Sequence, residues 1–123
     1  MPSLNVCDLL LAEILVRADE EGGSAVRAAV ERSARELGEE IGRSVDRAAI
    51  EDLLRDRGYE PFVDEDGVLR FGNCPFHSLA ATHRDAVCSL NLALVEGILS
   101  GARAGRRRAA LEPDRAGCCV AVR

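Results

Sequence analysis

Sixteen residues in the second half of the chain hold four of its seven cysteine and histidine side chains, the types that bind soft metals and act as nucleophiles or bases. The segment NCPFHSLAATHRDAVC covers residues 73–88 and contains both histidines, His77 and His83, and two of the five cysteines, Cys74 and Cys88. Cysteine thiolates and histidine nitrogens are the ligands that zinc and iron–sulfur clusters take from proteins. The segment is therefore the first candidate for a metal or thiol site.

An adjacent pair of cysteines near the C-terminus completes the candidate site. Cys118 and Cys119 open a predicted strand, and neighbouring strand residues point to opposite faces of a sheet, so only one of them should reach the site. We favour Cys118 and keep Cys119 as the alternative. His77 or His83 is a candidate fourth ligand. Cys7, on an apolar helix face, is expected to be a core residue.

Spacing and local electrostatics favour a metal or cluster over a catalytic nucleophile. Zinc sites usually pair their cysteines as C-x-x-C, whereas Cys74 and Cys88 are far apart, so the spacing fits an iron–sulfur cluster better than zinc. Cys88 lies in the first turns of a predicted helix and Cys74 precedes Pro75, a residue suited to a helix start, and helix N-termini stabilise thiolates. We expect no enzyme, because no acid or amide is placed to orient a histidine as the base for a cysteine nucleophile.

Helical periodicity predicts three helices in the first 58 residues. The first covers residues 4–18 and ends at ADEEGGS, and Ser24 caps the second, whose apolar face continues to Ile41. Ser44 is predicted to cap the third helix, and Gly58 to stop it. The first helix is apolar over much of its circumference, which suits a homodimer interface.

From residue 59 the pattern changes to short strands and one long helix. YEPFV and VLRFGN indicate two strands around a turn that contains Asp66 and Gly67. Thr82 and Asp85 have the spacing of a capping box and begin a long helix that ends near Gly101. Its apolar residues lie on two faces, so we expect the sheet to cover one side and another helix the other.

Two further strands, over residues 108–111 and 118–122, complete the order ααα-ββ-α-ββ. That order predicts an α+β fold, in which N-terminal helices precede a small antiparallel sheet of about four strands packed on a long helix. We assign residues 1–58 to a helical region expected to dimerise, and residues 59–123 to a cysteine-containing α+β sensor region, within one compact domain.

Charge and composition exclude several classes of function. The net charge is −5, which argues against a nucleic-acid grip, because phosphate binding needs a basic surface. No apolar run is long enough to span a membrane and no signal peptide is recognisable, so we expect a cytoplasmic protein without a membrane partner. In that compartment the five cysteines are expected as thiols or metal ligands rather than as a disulfide framework.

The residues from Tyr59 to Val122 resemble a known family. GYEPFVDEDGVLRFGNCPFHSLAATHRDAVCSLNLALVEGIL, followed by ALEPDRAGCCVAV, is similar to the C-terminal effector half of SufR-type, ArsR-like bacterial transcriptional regulators. In that family N-C-P-F-H, then H-x(4)-C, a leucine-rich helix ending near E-G and a final G-C-C-V occur in this order. Residues 4–58 match only by their helix pattern.

The resemblance implies a homodimeric redox sensor for transcription regulation that holds an iron–sulfur cluster, typically 4Fe–4S, through three cysteines. The family's ligand positions fall on Cys74, Cys88 and Cys118, with Cys119 as the alternative to Cys118. Members carry an N-terminal winged helix-turn-helix, whereas this chain begins almost directly in the helix that would follow it. DNA binding is therefore expected only through a winged helix-turn-helix absent from this chain.

One alternative of a different class remains open. The chain would then be a zinc-binding or metal-free structural module that dimerises or binds a small ligand. Stoichiometric zinc without a visible chromophore would favour that alternative.

Overall fold

The computed structural model describes residues 6–74, 84–112 and 119–123, with the backbone alone at residues 6–9, 11 and 12. The predicted α+β fold is confirmed. In chain order the elements are α1 (Val6–Gly42), a 3-10 turn (Arg47–Ala49), α2 (Ile50–Asp56), β1 (Pro61–Val63), β2 (Leu69–Phe71), α3 (Arg84–Gly101), β3 (Ala109–Leu111) and β4 (Val120–Val122).

The four strands form one antiparallel sheet in the order β1-β2-β4-β3. In the register of the sheet Phe62 pairs with Arg70, and Leu69 pairs with Val122. Because side chains alternate along a strand, Leu69, Phe71 and Val122 share one face, and all three belong to the buried core that also contains residues of α3.

The first two predicted helices form one element, α1, that bends between them. Gly23 has a backbone φ of 67° and ψ of −152°, a conformation outside the helical region that glycine adopts without a side-chain clash. Arg27 donates two hydrogen bonds across the bend to Asp19, at 2.8 and 2.6 Å. The hydrogen bonds from Arg27 are the main cause that lowers the pKa of Asp19.

The predicted cap of the third helix was wrong by two residues. Asp46 begins the 3-10 turn, and its carboxylate accepts a hydrogen bond from the Ala48 N–H at 3.0 Å. Ser44 instead donates its hydroxyl to the Ile41 carbonyl. The predicted stop is confirmed, because Gly58 has a φ of 98° and the Tyr59 N–H bonds back to Leu54 O at 3.1 Å, which completes a Schellman motif.

Helices α1 and α3 approach each other closely at four glycines, and the side chains of Arg35 in α1 and Glu96 in α3 form an ion pair at 3.6 Å beside that contact. A Cβ at Gly97 or Gly101 would overlap the backbone of Arg35 or Glu39 in α1. Reciprocally, a Cβ at Gly38 or Gly42 would overlap the backbone of α3. With α1 on one side and the sheet on the other, the predicted double cover of the long helix is confirmed.

The sheet face that points away from α3 holds a charged network. Arg70, whose side chain is only 11% exposed, donates to Asp64 at 2.5 Å and to Glu112 at 2.6 Å. Glu112 is also paired with Arg123 at the end of the chain. These hydrogen bonds, with Arg70 as the largest cause for each carboxylate, lower the pKa values of Asp64 and Glu112.

None of the helices within the described ranges combines the length and the apolar content that crossing a bilayer requires.

Candidate cysteine site

Cys74 lies just beyond β2 and is 6% exposed. The backbone that leads to it is tied to the preceding hairpin, because the Gly72 N–H donates to Glu60 O at 2.8 Å. The side-chain amide of Asn73 donates to Gly58 O at 2.9 Å. These bonds hold Cys74 next to the end of α2.

Cys88 and Cys119 come to the same core from two other elements. Cys88 lies in the first turns of α3, as predicted, and Cys119 directly precedes β4; they are 6% and 5% exposed. The Glu112 N–H donates to Cys119 O at 2.6 Å, which anchors the base of the β3–β4 pair. All three cysteines belong to one buried cluster.

Cys88 and Cys119 are joined by a disulfide that the sequence analysis did not expect. Their Cα atoms are 6.4 Å apart, within the usual disulfide range, although 31 positions separate them in sequence. The bond links the start of α3 to the start of β4. Cys74 is buried beside this pair and is not part of the disulfide.

Asn91 of α3 contacts Cys74. It lies one helical turn beyond Cys88, is fully buried, and its side-chain nitrogen lies 3.8 Å from Cys74 Sγ, within hydrogen-bonding range for sulfur. The Tyr59 hydroxyl donates a hydrogen bond to the other end of the same amide. Neither residue was predicted from the sequence; the available signal was an asparagine within the leucine-rich pattern of the helix.

The remaining predicted ligands cannot be placed, because Cys118, His77 and His83 lie outside the described residues. The Thr82 cap lies outside them as well. The preference for Cys118 over Cys119 therefore stays a prediction, while the side chain that meets Cys88 is that of Cys119.

Cys74, Cys88 and Cys119 have the donor type of a soft-metal or iron–sulfur site, although two of the three are joined in a disulfide. Thiolates are the ligands that such groups select, and cluster sulfurs commonly accept hydrogen bonds, as Cys74 Sγ does here. Three cysteines from separate elements share this core. Within residues 6–74, 84–112 and 119–123, however, no three His, Cys, Asp or Glu side chains are grouped to hold a metal ion.

Comparison of the chain with protein-family models, with curated proteins and with solved structures found no match.

Proposed function

We propose that this chain is the iron–sulfur-binding sensory region of a bacterial transcriptional regulator. Cys74, Cys88 and either Cys119 or Cys118 would be the ligands, with His77 or His83 as the candidate fourth. The observation that carries the proposal is that three cysteines, one just after β2, one in α3 and one just before β4, belong to the same buried core. Cysteine thiolates are the ligands that hold iron–sulfur clusters in proteins.

The sulfur atoms of Cys88 and Cys119 would either bind the cluster or form the disulfide with each other. Reducing the disulfide consumes two electrons and two protons and yields two thiols, which then become available as ligands. A bound 4Fe–4S cluster supplies a redox-active group, and three cysteines leave one of its irons without a cysteine ligand. Oxidation would therefore change both the cluster and the link between α3 and β4.

The homodimer and the DNA contact are parts of the same proposal. Leu10 and Ile14, one turn apart on α1, are 59% and 55% exposed, which supports an apolar contact between two copies. The net charge of −5 makes a direct operator contact unfavourable. DNA would be bound through a winged helix-turn-helix outside this sequence, and the protein would act in the cytoplasm.

The test is to purify the protein without oxygen in the presence of a reductant and to measure iron, sulfide and zinc together with the visible spectrum. We expect matched iron and sulfide and a broad absorption band at about 400 nm. Cys74→Ser and Cys88→Ser should lose the cluster, and Cys7→Ser should keep it. Comparing Cys118→Ser with Cys119→Ser then identifies the third ligand. Full cluster content in Cys74→Ser or Cys88→Ser would refute the assignment.

The disulfide supports a second candidate, a metal-free thiol sensor. Its signal would be reversible oxidation of Cys88 and Cys119 alone. A colourless protein that resists cluster reconstitution but forms and breaks this disulfide reversibly would favour it. Stoichiometric zinc would instead favour a structural module.

A further inference from the structure

The end of the molecule at which α3 finishes carries a cluster of arginines. Four of the six residues from 103 to 108 are arginine. Arg43 and Arg47, from the connection between α1 and α2, line a cavity of about 580 Å³ together with Arg103. Because the chain as a whole has a net charge of −5, this concentration of positive charge is a local feature and does not follow from the composition.

Arg103 also lines a second cavity, of about 450 Å³, between the end of α3 and the start of β3. The other charged residues around it are Arg107, Arg108 and Glu96. Ser100 contributes a hydroxyl to the same lining. The volume is in the range of small-molecule sites in proteins. Arg103 therefore belongs to two cavities, and both are lined by further arginines.

The positive charge around these cavities is not neutralised by neighbouring carboxylates. Within the described residues four of the lining arginines form no ion pair, namely Arg43, Arg47, Arg103 and Arg107. The carboxylates in the two linings have other partners. Asp46 accepts from the Ala48 N–H at the 3-10 turn, and Glu96 pairs with Arg35 at 3.6 Å. An anion that enters would therefore meet guanidinium groups without a competing carboxylate.

Arg103 occupies a backbone position at which glycine is the usual residue. The Ala104 N–H donates to Leu99 O at 3.0 Å, which gives α3 the same Schellman ending that Gly58 gives α2. Arg103 has a φ of 57°, whereas every other positive φ within the described residues belongs to a glycine. A side chain makes this conformation costly, and strained residues of this kind are concentrated at ligand sites. The strain therefore indicates that the arginine side chain has a role at this position.

We propose that this arginine cluster binds a compact phosphate-bearing anion, held by Arg103 and Arg107. A guanidinium presents its N–H donors in a planar fork that matches phosphate oxygens. A small ligand fits a cavity of about 450 Å³, and the net charge of −5 would repel a long nucleic-acid backbone that extends beyond the cluster. The inference goes beyond the proposed function and does not depend on the cysteines.

The experiment is isothermal titration calorimetry of the metal-free full chain with inorganic triphosphate. We expect saturable binding that weakens as the salt concentration is raised. Arg103→Gly removes the guanidinium and relieves the backbone strain, so the affinity should fall about tenfold while the free energy of unfolding stays equal or rises. Arg103→Gln keeps the strain and should lose the same affinity, as should Arg107→Gln. Arg17→Gln, which removes one charge from the segment of α1 before the bend, is the control and should bind as the wild type does.

Several results would overturn the inference. If Arg103→Gly keeps the affinity of the wild type, the arginine does not hold the anion. A loss of equal size in Arg17→Gln would show that triphosphate responds only to net charge. Titration of the wild type without saturable heat would exclude the site, and binding of duplex DNA that triphosphate does not displace would assign the cluster to nucleic acid instead. None of these results changes the test of the proposed function, which depends on iron and sulfide content.

Discussion

The two halves of helix α3 differ in how they meet their neighbours. Toward its C-terminus Gly97 and Gly101 contribute no side chain, and the backbone of α1 lies directly against them. Near its N-terminus Cys88 and Asn91 contribute reactive and polar side chains, each at most 6% exposed. The C-terminal half of the helix lies against the backbone of α1, and the N-terminal half carries the buried residues of the candidate site.

This difference shows how a small domain can hold reactive groups in place. A backbone contact has no rotamers, and the distance between two helices is set by the side chains at their contact, so glycines fix α3 closely on α1. The cysteine half is then completed by groups from other elements, Cys74, Tyr59 and Cys119. Three variants or treatments test the two halves separately and a fourth tests the charged network outside them, from the largest expected effect to the smallest.

Gly97→Ala should disrupt the contact between α1 and the C-terminal half of α3. Its Cβ would overlap the Arg35 carbonyl, a backbone atom that cannot rotate away. We expect the free energy of unfolding to fall by about 3 kcal/mol, as in severe overpacking. Urea unfolding measures this, with exposed Ser100→Ala as the control at about 0.5 kcal/mol or less. Equal stability of Gly97→Ala and wild type would mean that the helices do not approach this closely.

Reducing the Cys88–Cys119 disulfide, which lies in the cysteine half, should lower the free energy of unfolding. The bond closes a loop with a sequence separation of 31, and such a constraint on the unfolded chain contributes about 2–3 kcal/mol. Urea unfolding of metal-free protein with and without a dithiol reductant should show that loss. Cys119→Ser should not respond to the reductant, whereas Cys118→Ser should respond as the wild type does. If the response to the reductant disappears in Cys118→Ser instead, Cys88 is bonded to Cys118 and not to Cys119.

Gly58→Ala should disturb the turn that positions Tyr59 next to Asn91, without changing a cysteine. At a φ of 98° an alanine side chain is strained, so we expect a loss of about 1 kcal/mol in unfolding free energy. Arg57→Ala, at the exposed neighbouring position, is the matched control. A loss confined to Arg57→Ala would contradict the Schellman ending of α2.

The smallest effect concerns the charged network outside both halves. The folded-state pKa values of Asp64 and Glu112 are lowered, so their contribution to stability is present above the ordinary carboxyl range and is lost as the pH falls below about 4. In Arg70→Gln this fall in unfolding free energy should be shallower, because the main cause of both shifts is gone. Urea unfolding across the acid range tests it, and parallel curves for the two proteins would show that Arg70 does not lower these pKa values.

Much of the architecture was predictable, because it depends on periodicity and on turn residues. The long helix, the four strands and the stop at Gly58 follow from local patterns. The cap was misassigned because Ser44 and Asp46 are both good capping residues two positions apart, and local preference does not choose between them.

The missed parts of the site depend on contacts between distant residues. Asn91 finds Tyr59 across 32 positions, and Arg70 finds Glu112 across 42. No local pattern encodes such pairs. The glycine pairs were visible as two Gly-x3-Gly spacings, but their mutual contact became evident only when α1 and α3 were placed together.

The glycine contact also couples the orientation of α1 to that of α3. Because backbone lies against backbone at these glycines, a tilt of α3 at this contact would displace α1 as well. About 9 Å of helix separates Asn91 from Gly97, and about 22 Å separates Gly38 from the bend at Gly23. If the two helices tilt together about this contact, the bend at Gly23 would therefore move about two and a half times as far as Asn91.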